Sequence, residues 1–125
     1  KNKVQALYQG QTSYGAAGTD ITATLNNAGI FPNTMLNTAG TPITPWNTAV
    51  QVIANTNQFT VQFNDLPEEV CINMARLDFA NDPDFVSTAR GGTVIGAAGR
   101  TPTPVEADTA CTAAVAGNDI QWNFF

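Results

Sequence analysis

WNTAVQVIANTNQFTVQFNDLPEEVCINMA, residues 46–75, is the stretch on which the fold turns. Gln58, Thr60 and Gln62 alternate with Phe59, Val61 and Phe63, a period of two that gives a strand one polar and one apolar face. Val50, Val52 and Ile53 make the run before it β-prone, and Asn55-Thr56-Asn57 suits a short hairpin loop because Asn tolerates left-handed backbone. Asp65 is placed to cap a following helix, with Pro67 in the first turn and Glu68 three residues on, as in a capping box. Leu66, Val70, Met74 and Leu77 recur at helical spacing, so one stripe can cover the apolar sheet face, with Cys71 flanking it. The pattern predicts strand, turn, strand, helix.

The rest of the chain bounds what this nucleus can belong to. A length of 125 residues implies one domain, burying roughly two-thirds of its unfolded surface. Charged residues make up only 12% of the chain, so Thr, Asn and Gln must supply most of the polar surface, a texture of extracellular or packed-assembly proteins. The net charge of -5 argues against direct binding to a nucleic-acid backbone. Two cysteines without any histidine cannot complete a typical structural zinc site, and their separation excludes a CxxC redox motif. A disulfide between Cys71 and Cys111, implying an oxidising compartment, is the economical reading; two buried free thiols are the alternative.

Upstream, Val4, Leu7 and Tyr8 lie at helical spacing, and Gly10 and Gly15 weaken and end that helix. Thr19 or Asp20 caps a second short helix carrying Ile21, Leu25 and Ala28, which Gly29 stops. Four glycines and prolines punctuate a loop over residues 31–45; the recurring Ala-Gly dipeptides at 17, 28 and 39 are too isolated to be a repeat. Downstream, eight of the ten acidic residues lie between Asp65 and Asp108, together with Arg76, Arg90 and Arg100. That region reads as a long excursion, with a turn at Asp82-Pro83-Asp84 and a strand around Thr93-Val94-Ile95. Ile120, Trp122 and Phe124 alternate with Gln121 and Asn123, so the last strand must be paired inside a sheet.

Catalysis has little material. Without His there is no ordinary Ser-His or Cys-His system, and the serines are Ser13 and Ser87 alone. Glu68 and Glu69 are explained by first-turn electrostatics. Asp78, Asn81, Asp82 and Asp84 depart from the spacing of an EF-hand loop, and a solvated turn explains them better than calcium. Gly92, Gly96 and Gly99 form no nucleotide-binding motif. No catalytic residue, cofactor or metal is expected.

Three segments carry a resemblance: LYQGQTSYGAAGTDITATLNNAGIFP (7–32), PWNTAVQVI (45–53) and FTVQFNDLPEEVCINM (59–74), followed by a second Cys before a terminal strand. In this order they resemble the type IV pilins, type IVb branch, over essentially the whole chain. The resemblance implies an α+β fold, the αβ roll, with an N-terminal helix packed on an antiparallel sheet. It divides the single domain, 1–125, into a helix tail at 1–14, a loop with a short helix at 15–45, sheet and helix at 46–77, a D-region at 71–111 pinned by Cys71–Cys111, and a terminal strand at 119–125. It further implies an apolar half-helix upstream, a leader cut by a prepilin peptidase, residence in the inner membrane before assembly, and handling by the pilus assembly machinery. The product is an extracellular homopolymer of identical subunits, with no enzymatic activity, meeting a host or recipient cell surface in adhesion, aggregation or mating-pair stabilisation during DNA transfer. Subunits are expected to meet through the region between the cysteines and the short helix, with Arg76, Arg90 and Arg100 facing Asp20. The alternatives are a minor pilin or type II secretion pseudopilin and, in another class, a secreted ligand-binding module.

Overall fold

The computed structural model describes residues 2–8, 13–79, 82–112 and 118–125. Its centre is the predicted hairpin. Strand β2 (Val50–Thr56) turns back into β3 (Gln58–Phe63) through a tight loop after Asn55, which pairs with Gln58. Thr56, not an Asn, takes the left-handed conformation, at φ 60°. The terminal strand β6 (Ile120–Phe124) lies beside β3, and β4 (Phe85–Arg90) lies beside β6. Strand β1 (Gly15–Asp20) and the short β5 (Thr93–Val94) form the two edges. All pairings are antiparallel, in the order β1-β2-β3-β6-β4-β5.

Register decides what each face carries. Val52, Val61, Trp122 and Thr88 form one cross-strand row; Ala54, Phe59, Phe124 and Phe85 form the next. This inner face is covered by α1 (Asn2–Leu7), which buries Val4, and by α3 (Glu68–Ala75), which buries Cys71 and Ala75. The aromatic rings interlock: Tyr8 meets Tyr14, Tyr14 meets Phe59, and Phe59 meets Phe124, with centroids 5.0–5.6 Å apart. The fold is therefore α+β, helices rolled onto an antiparallel sheet. No helix among the described residues is long and apolar enough to cross a membrane.

The outer face carries two sets of hydrogen-bonded amides and hydroxyls. Asn123 donates to Ser87 and accepts from Thr60; Gln121 donates to Gln62; Gln62 donates to Gln51 and Asn64; Gln51 donates to Asp20 at 3.1 Å. The first set, Ser87–Asn123–Thr60, joins β4, β6 and β3; the second, from Gln121 to Asp20, runs across β6, β3, β2 and β1 and ends on a carboxylate. Gln62, on the polar face of β3, bonds Gln51, Asn64 and Gln121 in the second set and is only 9% exposed.

Several expectations are corrected. Asp65 is not a helix cap: it sits at φ 50°, its N–H bonds the Asp119 carboxylate, and α3 begins after Pro67 without a side-chain cap. The cause is Leu66, fully buried, whose N–H bonds the Asn118 carbonyl and ties the approach to β6. The buried stripe of α3 is Cys71 and Ala75; Val70 and Met74 flank it, and Leu77 is 41% exposed. Residues 15–20, expected as a helix end and cap, form edge strand β1 against β2. The short helix α2 (Thr22–Asn27) follows, burying Leu25 and leaving Ala28 exposed. Trp46, expected to lead the hairpin, stands 41% exposed on a turn bound by Thr44 and Thr48. The excursion after Asp78 contains β4 and a helix, α4 (Pro104–Ala110), neither of which was expected. The turn at Asp82 is as read, with Asp84 N–H on the Asp82 carboxylate at 2.9 Å. The helix tail expected over 1–14 is α1 at Asn2–Leu7; residues 9–12 lie outside the described residues.

Candidate functional site

The segment between the cysteines is built on α3, β4, β5 and α4, and one covalent bond fixes its base. Cys71 and Cys111 form a disulfide with Cα atoms 5.9 Å apart. Both are buried, Cys71 in the middle of α3 and Cys111 at the C-cap of α4, so the bond clamps the two helices together. The thiols are not free, which closes the alternative left open by composition.

Helix α4 has the capping box that α3 lacks. Thr103 Oγ1 accepts from Glu106 N–H at 3.2 Å, Glu106 Oε1 accepts from Thr103 N–H at 2.9 Å, and Pro104 occupies the first turn. Arg100 approaches the same carboxylate with both ends of its fork, Nη1 to Oε1 at 2.8 Å and Nη2 to Oε2 at 2.7 Å. These hydrogen bonds from Arg100, then that from Thr103, hold Glu106 down to about 2 from an ordinary 4.5. The Glu106 hydrogen bonds and charge raise Arg100 in turn. Gly96 makes room for the pair: a Cβ there would lie 2.6 Å from Arg100 Nη2 and 2.7 Å from Glu106 Oε2.

The four charged candidates for a subunit contact have different fates. Arg100 is engaged within the chain. Arg90, half-buried on β4, donates through Nη2 to Asn118 Oδ1 at 3.0 Å. Arg76, at the C-cap of α3, is exposed and enters no ion pair among the described residues. Asp20 is exposed on β1 at the other edge of the sheet, so the structure does not bring it near Arg90 on β4 of the same copy. Burial opposes ionisation of Asp20, but hydrogen bonds from the Thr22 hydroxyl and N–H and from the Gln51 amide outweigh it and lower its pKa. The acids read as a solvated turn go to separate partners: Asp78 accepts from Thr101, and Asp84 from Gln5.

Two residues that organise this region were not singled out in the sequence. Glu106 had a legible signal, the T-x-x-E of residues 103–106. Asn118 had none. It is fully buried, accepts from Arg90 and the Thr112 N–H, and donates to the Thr112 carbonyl, joining β4 to the end of α4.

Residues 1–125 match the family model described as Bundlin. No curated protein and no solved structure matches the chain.

Proposed function

This chain belongs to the Bundlin family, and from that premise we propose that it is the repeating subunit of a type IVb fibre that joins cells to one another or to surfaces. The family is one of structural pilins, so the chain is a pilin subunit of a type IV pilus, assembled with other pilin subunits and located in the extracellular fibre. The observation that carries the finer reading is the position of the disulfide-clamped segment. It forms the β4–β5 edge of the sheet, while Asp20 and α2 lie at the β1 edge. Opposite edges with different chemistry suit a head-to-tail contact, which repeats into an open helix instead of closing into a ring. In this reading one copy's segment between the cysteines meets the next copy's Asp20 and α2. Of the three arginines Arg76 has the freest hand; Arg90 and Arg100 shape the patch. The precursor is held in the inner membrane, cut by a prepilin peptidase and delivered by the assembly machinery.

Piliation of the producing bacterium tests both levels. Sheared fibres should consist mainly of this chain; a trace amount would make it a minor subunit. Reversing Arg76 to Glu should reduce fibre number, and adding Asp20→Lys should restore part of it. Unchanged fibre number and length after reversal of Arg76, Arg90 and Arg100 together would remove this interface while leaving the pilin assignment intact.

A further inference from the structure

The β4–β5 hairpin and α4 enclose a cleft of about 450 Å³ whose charge balance points to a ligand. Clefts that hold small ligands span roughly 300–1,000 Å³. Its aliphatic walls are Val94, Ile95 and Val105. Val105 is 74% exposed and Val94 44%, so two branched side chains stand at the mouth with nothing over them among the described residues. The charged groups on the lining are Arg90 and Glu106. Glu106 is spent, because Arg100 binds both of its oxygens.

Arg90 has no such partner. All ten acidic residues of the chain are among the described residues, and none forms an ion pair with it. Its Nη2 meets the neutral amide oxygen of Asn118, and its Nε is buried without a hydrogen-bond partner. A half-buried guanidinium matched only by an amide leaves a net positive charge in the cleft, on a protein whose overall charge is -5. Guanidinium groups bind carboxylates strongly because two parallel hydrogen bonds carry opposite formal charges. The walls add a preference for a branched aliphatic group beside the carboxylate.

We infer that this cleft is a binding site for a carboxylate carried on a short branched aliphatic group, with Arg90 as the anchor and Val94 and Val105 as the apolar jaws. The carboxylate has two possible sources, a free small acid or an acidic side chain beside an aliphatic one on a second copy. The inference stands on the single chain and does not depend on the fibre reading.

Amide-resolved NMR of the chain provides the test. Titration with 4-methylpentanoate should give saturable shifts centred on Thr93–Gly96 and Val105–Ala110. The neutral 4-methylpentanamide should bind about tenfold more weakly, and acetate should also bind weakly because it lacks the branched tail. Arg90→Met should abolish the response. Because Arg90 also supports Asn118, Val105→Asp is the second variant: it sets a carboxylate at the exposed mouth and should block binding with the spectrum otherwise folded. Shifts of the same amides on raising the protein from micromolar to millimolar concentration without added acid, lost in Val105→Asp, identify a second copy as the source. Equal binding of the amide and the acid, an undiminished response in Val105→Asp, or no response to either acid or protein concentration would overturn the inference.

Discussion

At the scale of single residues, the segment between the cysteines depends on how Gly96, Arg100 and Glu106 share one small space. Gly96 has φ 71° and no room for a Cβ beside the ion pair. Gly96→Ala should therefore destabilise by about 1–3 kcal/mol, the cost of a left-handed non-glycine residue, with added crowding against Arg100; urea midpoints measure it. Glu106 titrates at about 2 in the folded chain against an ordinary 4.5. A depressed carboxylate contributes stability that is present above its unfolded value and lost as pH falls through the folded one. The Glu106 contribution should thus be complete above pH 4.5 and vanish near pH 2. Carbon-detected titration should show the side chain moving toward 4.5 in Arg100→Met, though not fully, because the Thr103 N–H remains on the carboxylate. An unchanged Glu106 titration in that variant would contradict the assignment of cause.

At the scale of elements, caps and strand positions make separate predictions. Helix α4 is short, seven residues, and its start rests on Thr103 and Glu106. Replacing Thr103 by Ala should cost about 1 kcal/mol, and Ser should recover most of it. Strand β6 lies between β3 and β4, so its backbone is paired on both sides and its Ile120, Trp122 and Phe124 are buried. Removing residues 120–125 leaves β3 and β4 without a shared neighbour and should abolish the cooperative thermal transition. A truncated chain with unchanged circular dichroism and melting would show that the sheet closes without it. The alternation in IQWNF was legible because one face must be apolar and the other polar. Strand β1, by contrast, is GAAGTD, without a hydrophobic alternation to read; it is a strand because β2 offers an edge to pair with, through Gly15 with Thr56 and Asp20 with Ile53.

At the scale of the whole molecule, the disulfide joins positions 40 residues apart and sets the base of the segment that forms one sheet edge. Closing such a loop should stabilise by about 4 kcal/mol in the chain-entropy model. The Cys71→Ala, Cys111→Ala double variant should lower the urea midpoint accordingly, with native alkylation of the unmodified chain capturing no thiol. By itself, the sequence determined the β2–β3 hairpin, the apolar inner face and the terminal strand, and it made Cys71–Cys111 the economical pairing, which the structure then settled against free thiols. Each is a local pattern or an elimination: a period of two, a turn-prone triplet, two cysteines without histidine. Only the tertiary structure decided the rest. Asp65 does not cap α3 because Leu66 is drawn into the core and bonds Asn118 at the approach to β6, while the capping box belongs to α4, at Thr103 and Glu106. The arginines parted ways because Asn118, at fully buried depth, engages Arg90 while Glu106 engages Arg100, leaving Arg76 in solvent. The polar face became a lattice because the register aligns Gln51, Gln62 and Gln121 across three strands. Partners of this kind are far apart in the chain, and neither propensity nor spacing records which distant amide or carboxylate a side chain will meet once the sheet has closed.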